Sequence, residues 1–139
     1  MNNPYIQYLN LPSVPTHIID NINSWVHDYS KNMSMYWTDV NNQEIDTWGK
    51  EHISNDMYFA FQIFKDDVPV HKDVETLTKL NYLISPGGSN VLTEFFDGQI
   101  TVASYNIEPL KWHVLKADTP HHVVNVKQLR YGITARIFG

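Results

Sequence analysis

A mainly β, double-stranded β-helix (jelly roll) of about eight strands, with one or two N-terminal helices packed on an outer face, is the fold this 139-residue sequence predicts. Three observations point to it. A helix-period stretch is confined to the first part of the chain, the texture changes near residue 57, and short runs rich in Val, Ile, Thr and aromatics then follow one another between turn residues.

The length suits a single domain, residues 1–139, with a helical part over 1–56 and the jelly-roll core over 57–139. From Pro15 to Tyr29 the residues Ile18, Ile22, Trp25, Val26 and Tyr29 recur every three to four positions. That spacing predicts an amphipathic helix, with Ser13 or Thr16 available as N-cap and Pro15 near the first turn. Trp37 to Ile53 reads as a second, weaker helical or irregular segment, because Gly49 and several Asn and Asp residues blur its boundaries. The extended runs are Met57–Phe64, Val68–Asp73, Leu77–Ile84, Val91–Phe96, Gln99–Asn106, Trp112–Ala117, His121–Val126 and Arg130–Phe138. Lys65-Asp66-Asp67, Pro86-Gly87-Gly88-Ser89 and Asp97-Gly98 punctuate them. So many short strands behind a helix predict two sheets enclosing a cavity at one end, against the competing arrangement of an open sandwich with no cavity.

Apolar residues make up 42% of the chain and charged ones only 18%, which supplies a core. Ten basic against fifteen acidic side chains give a net charge of −5 with no Lys/Arg run, which argues against nucleic acid or an anionic membrane as partner. There is no cysteine, so thiolate metal sites and cysteine nucleophiles are excluded, and any metal must be held by His and carboxylate. Met1-Asn2-Asn3-Pro4 does not begin a signal peptide and no apolar run is long enough for a membrane helix, so a soluble, cytoplasmic protein is expected, bacterial or in a phage-infected host.

Of seven histidines, His71 opens a His-x-Asp with Asp73. On a strand, residues two apart share a face, so His71 and Asp73 can offer a nitrogen and an oxygen to one point. A third ligand is available at His121 or His122, of which only one can enter the cavity because strand neighbours face opposite ways. Two histidines and a carboxylate form the facial arrangement of non-haem Fe(II) oxygenases. In the last run, alternation puts Arg130, Gly132, Thr134 and Arg136 on one face and Tyr131, Ile133, Ala135 and Ile137 on the other. If the apolar face packs beneath the helix, the guanidiniums point into the barrel, where a bound anion would satisfy them.

Taken together, these residues resemble the Fe(II)- and 2-oxoglutarate-dependent dioxygenases, especially the compact prolyl-4-hydroxylase-like branch, over about Phe61 to Phe138. The pattern is His-x-Asp, a distal His, and a basic residue about nine or ten positions beyond it; 130 − 121 = 9, which favours His121 over His122. Pro120-His121-His122-Val123 and Arg130-Tyr131-Gly132-Ile133-Thr134 are similar to the family's motifs. The resemblance implies that His71, Asp73 and His121 are the metal and catalytic residues and bind Fe(II). It further implies that 2-oxoglutarate chelates the metal and meets Arg130 through its distal carboxylate, and that Tyr82 and Thr134 assist the co-substrate. Arg136 stands where the family often has an aromatic and could share or take over the anchoring role. The implied reaction consumes O2, converts 2-oxoglutarate to succinate and hydroxylates a peptide, protein or small amino-acid-like substrate. Other readings are a cupin-like jelly-roll metal enzyme that does not use 2-oxoglutarate, and a non-catalytic jelly-roll binding module. The oligomeric state is left open.

Overall fold

The computed structural model describes residues 5–73 and 79–137. Among these, the chain runs through β1 (Ile6–Tyr8), α1 (Thr16–Lys31), β2 (Trp37–Val40), α2 (Gln43–His52), β3 (Met57–Phe64), β4 (Val68–His71) and β5 (Lys79–Ser85). It continues through β6 (Leu92–Asp97), β7 (Ile100–Tyr105), β8 (Trp112–Leu115), β9 (His121–Val124) and β10 (Arg130–Ile137). The predicted strand start at Leu77, the strand end at Phe138 and the side chain of Ile137 lie outside the described residues.

The strands form two antiparallel sheets, a larger one in the order β1-β8-β5-β10-β3-β2 and a smaller one in the order β4-β9-β6-β7. From β3 onward successive strands alternate between the sheets, apart from the β6–β7 hairpin within the smaller one, which makes a jelly roll, as the sequence predicts. The larger sheet is buried on both faces. On its outer face lie α1 and α2, and Ile18, Ile22, Val26 and Ile45 pack there against Phe59, Phe61, Ile63, Tyr82, Trp112, Tyr131 and Ile133. Each fully buried aliphatic side chain here contributes about 1.5–3 kcal/mol. Between the sheets a smaller cluster of Ile6, Leu83, Phe95, Ile107, Leu115 and Ala117 leaves room for a cavity.

α1 buries Ile18, Ile22, Val26 and Ser30, a stripe repeating every fourth residue. Neither Ser13 nor Thr16 caps it. Pro15 occupies the cap position in extended conformation with no side-chain hydrogen bond, and its carbonyl accepts from Ile18 and Ile19. The segment Trp37–Ile53, expected to be weakly helical, divides into a strand and a helix. Asn42 separates the two because its side chain accepts from the Ile45 amide at 3.1 Å, an N-cap. Gly49 lies inside α2 rather than ending it, since any Cβ there would collide with the Phe59 ring. Asp46 and Lys50 of α2 reach the edge of β3 that β2 leaves uncovered: Asp46 Oδ1 accepts from the Phe59 amide at 2.9 Å and Lys50 Nζ donates to the Met57 carbonyl at 2.7 Å. β1 escapes prediction because three residues carry no period, and it forms only by pairing with β8. No helix among the described residues is long and apolar enough to cross a membrane.

Candidate metal centre and anion pocket

Between the sheets lies a cavity of about 320 Å³. At one end β4 and β9 pair antiparallel, with His71 directly opposite His121. Their ring centroids are 4.4 Å apart. Asp73, two residues past His71, is held by its amide donating to the Ala117 carbonyl at 2.8 Å. One ligand atom from each of His71, Asp73 and His121 lies within 4.8 Å of the others.

Local hydrogen bonds prepare these groups for a cation. His71 Nδ1 bonds the Pro69 carbonyl at 2.8 Å, and His121 Nδ1 bonds the Thr119 carbonyl at 2.6 Å. A carbonyl only accepts, so each Nδ1 carries the proton and each Nε2 keeps its lone pair free, as metal-bound imidazoles require. His121 is 5% exposed and lies against Phe95. Burial chiefly lowers its pKa, and the neighbouring His71 adds to this, so the ring is held neutral. Asp73 Oδ2 sits 3.1 Å from Lys79 Nζ, yet this buried oxygen has no aligned hydrogen bond. Two imidazoles held by their Nδ1 atoms and an under-satisfied carboxylate fit a divalent ion. His122 points the other way and bonds Glu94 at 2.9 Å, which lowers the Glu94 pKa.

Arg130 opens β10 and lines the same cavity. It is 7% exposed, and Nη1 donates to the Pro86 carbonyl at 2.9 Å. No carboxylate pairs with it among the described residues. Burial alone brings its pKa down to about 10, so it remains charged at neutral pH without a counter-ion. Tyr131 and Ile133 pack beneath α1, with the Tyr131 hydroxyl donating to Asn23 at 2.7 Å, and this orients Arg130 inward.

The remaining predicted residues fall elsewhere. Tyr82 borders the cavity, but its ring packs on Trp112 in the core beneath the helices, with centroids 4.8 Å apart. Thr134 is buried, has no hydrogen-bond partner for Oγ1, and lines a second pocket outside the cavity. Arg136 lines that second pocket too and donates to Asp39 Oδ2 at 2.8 Å, because the three two-residue steps from Arg130 carry the strand away from the cavity. Among the wall residues that the sequence reading did not single out are Lys79, Asn81 and His113. The alternation Lys79-Asn81-Leu83 against Leu80-Tyr82-Ile84 would have found the first two. His113 is 2% exposed.

No protein-family model matches the chain, and no curated protein sequence matches it. Solved structures do. A prolyl-4-hydroxylase from Pseudomonas putida is similar with a TM-score of 0.58 and 11% identity, over 98% of this chain and 95% of that one. A cupin-2 domain protein from Shewanella frigidimarina is similar with a TM-score of 0.50 and 11% identity, over 84% of this chain and 99% of that one. This chain spans about half the length of an oxalate oxidase solved in complex with glycolate, covering 52% of it with 75% of its own residues (TM-score 0.48, 13% identity). At these identities the similarity shows the jelly-roll fold alone.

Proposed function

We propose that the chain is an Fe(II)- and 2-oxoglutarate-dependent dioxygenase that hydroxylates a peptidyl or free amino-acid side chain. The observation that carries this reading is the placement in one cavity of the His71, Asp73 and His121 cluster and a buried Arg130 that pairs with no carboxylate among the described residues. A cluster alone would fit many metal enzymes. The added guanidinium matches a ligand that is at once a metal chelator and a carboxylate some atoms further on.

His71, Asp73 and His121 would hold the metal, which supplies oxygen activation coupled to 2-oxoglutarate decarboxylation. The chain's own contribution is positional. The Pro69 and Thr119 carbonyls fix both imidazoles in the tautomer that leaves Nε2 available. Lys79 steadies the Asp73 carboxylate, and Arg130 orients the co-substrate by its distal carboxylate. Leu83, Leu115, Ile107 and Val123 line the apolar remainder of the wall and limit the water around the reacting groups.

The test is an anaerobic titration of the Fe(II)-loaded chain with 2-oxoglutarate, read by visible absorption. The reading expects a charge-transfer band that Arg130→Ala weakens and His71→Ala abolishes. Metal binding indifferent to 2-oxoglutarate would establish a different metal chemistry, and neither metal nor 2-oxoglutarate binding would leave a binding module. Succinate release with a panel of peptides and free amino acids then identifies the substrate class.

A further inference from the structure

His113 sits on β8 opposite Asn81 of β5, on the wall of the same cavity and outside the His71, Asp73 and His121 cluster. Three observations set it apart. It is 2% exposed, its Nδ1 makes no aligned hydrogen bond among the described residues although the Lys111 carbonyl lies close to the ring, and the Arg130 charge acts on it from the wall of the same cavity. A buried imidazole nitrogen without an aligned hydrogen bond destabilises the empty cavity. Arg130, on the wall of the same cavity, has spent one N–H on the Pro86 carbonyl and has no carboxylate among the described residues. Two under-satisfied groups, one charged and one neutral, therefore border the same space. A carboxylate answers both, since it accepts several hydrogen bonds at once.

We propose that His113 shares with Arg130 the carboxylate that fills this part of the cavity, donating a neutral imidazole N–H to it. The inference rests on the dicarboxylate reading above and adds to it a ligand-contacting residue. Desolvation keeps the ring from protonating, with its pKa brought down to about 4, so at neutral pH His113 contributes a directional donor and no second positive charge. That balance suits a single carboxylate against a single guanidinium.

The test uses the full, metal-free chain with glutarate, a dicarboxylate that needs no metal, and measures binding by calorimetry. His113→Leu weakens glutarate about tenfold, as does Arg130→Met, whereas His113→Gln, which restores an N–H donor, recovers most of the loss. Because both residues act on one carboxylate, the double variant binds little more weakly than Arg130→Met alone. In the wild-type chain, glutarate shifts the ¹⁵N resonances of the His113 imidazole, which a purely structural role would leave in place. Unchanged affinity in a folded His113→Leu chain, additive losses, or unshifted His113 resonances at saturation would each overturn the assignment. If Arg130→Met loses affinity while His113→Leu does not, the dicarboxylate reading stands and His113 falls. A wild-type chain that binds neither glutarate nor 2-oxoglutarate removes both.

Discussion

Arg130 should make the ligand-free protein less stable than it could be. Its pKa, held down to about 10 by burial, corresponds at 1.36 kcal/mol per tenfold change in proton affinity to a penalty of about 3 kcal/mol for keeping the charge inside the fold. Below pH 10 the guanidinium is charged in both folded and unfolded chains, so this penalty is present in full throughout the neutral range. Arg130→Met keeps an unbranched apolar stem of similar reach and removes the charge. It also strands the Pro86 carbonyl, which gives back about 1 kcal/mol. The metal-free, ligand-free Met variant should therefore be about 1–2 kcal/mol more stable than wild type. Urea unfolding followed by tryptophan fluorescence measures this as a higher midpoint at unchanged slope. At one fixed concentration glutarate should stabilise wild type more than the Met variant, by an increment that grows with the logarithm of concentration over Kd. Arg136→Met is the control: that guanidinium is 30% exposed and paired with Asp39, so its loss should cost at most about 1 kcal/mol and leave glutarate affinity within twofold. A ligand-free Arg130→Met chain that is destabilised by more than 1 kcal/mol would refute the reasoning, since it would mean that the guanidinium is already compensated.

Removing one ligand of the centre should be felt by the metal before the fold. His71→Ala, His121→Ala and Asp73→Asn each lower Mn(II) affinity at least a hundredfold by electron paramagnetic resonance, with wild-type circular dichroism retained. Stability should fall on acidification because His113 resists protonation in the fold. A base whose folded pKa is depressed to about 4 contributes its full stability above its ordinary value and loses it as pH drops toward 4, a loss of about 3 kcal/mol that His113→Gln removes from the stability–pH profile. Gly132→Ala should destabilise by about 2–4 kcal/mol in thermal unfolding, because a Cβ there would run into the Tyr82 carbonyl and lie 3.0 Å from Leu83 Cα, at the irregularity where β10 shifts register against β5.

Much of the architecture is legible one residue at a time. The strand runs from residue 57 onward each carry a two-residue period or an unbroken apolar run, and their ends lie within a few positions of β3 to β10. Turn chemistry is equally local: Gly98 takes φ +62° in the tight connection where Asp97 pairs with Ile100. Elements that lack such a signal are those made by neighbours. β1 exists because β8 offers an edge, β2 because β3 does, and position 49 in α2 must be glycine because the Phe59 ring fills the space beside it.

At the site the same division holds. Periodicity and spacing alone determine that His71 and Asp73 share a face, that His121 and His122 cannot both turn inward, and that Arg130 faces opposite to Tyr131 and Ile133, because side-chain direction along a strand is a local property. Only the tertiary structure decides that β4 meets β9 with His71 against His121, that Arg136 finds Asp39 while Arg130 finds no carboxylate among the described residues, and that His113 is sealed into the cavity wall. Those facts depend on which sheet covers which face and where it stops, and no stretch of chain carries that information until the two sheets have closed on each other.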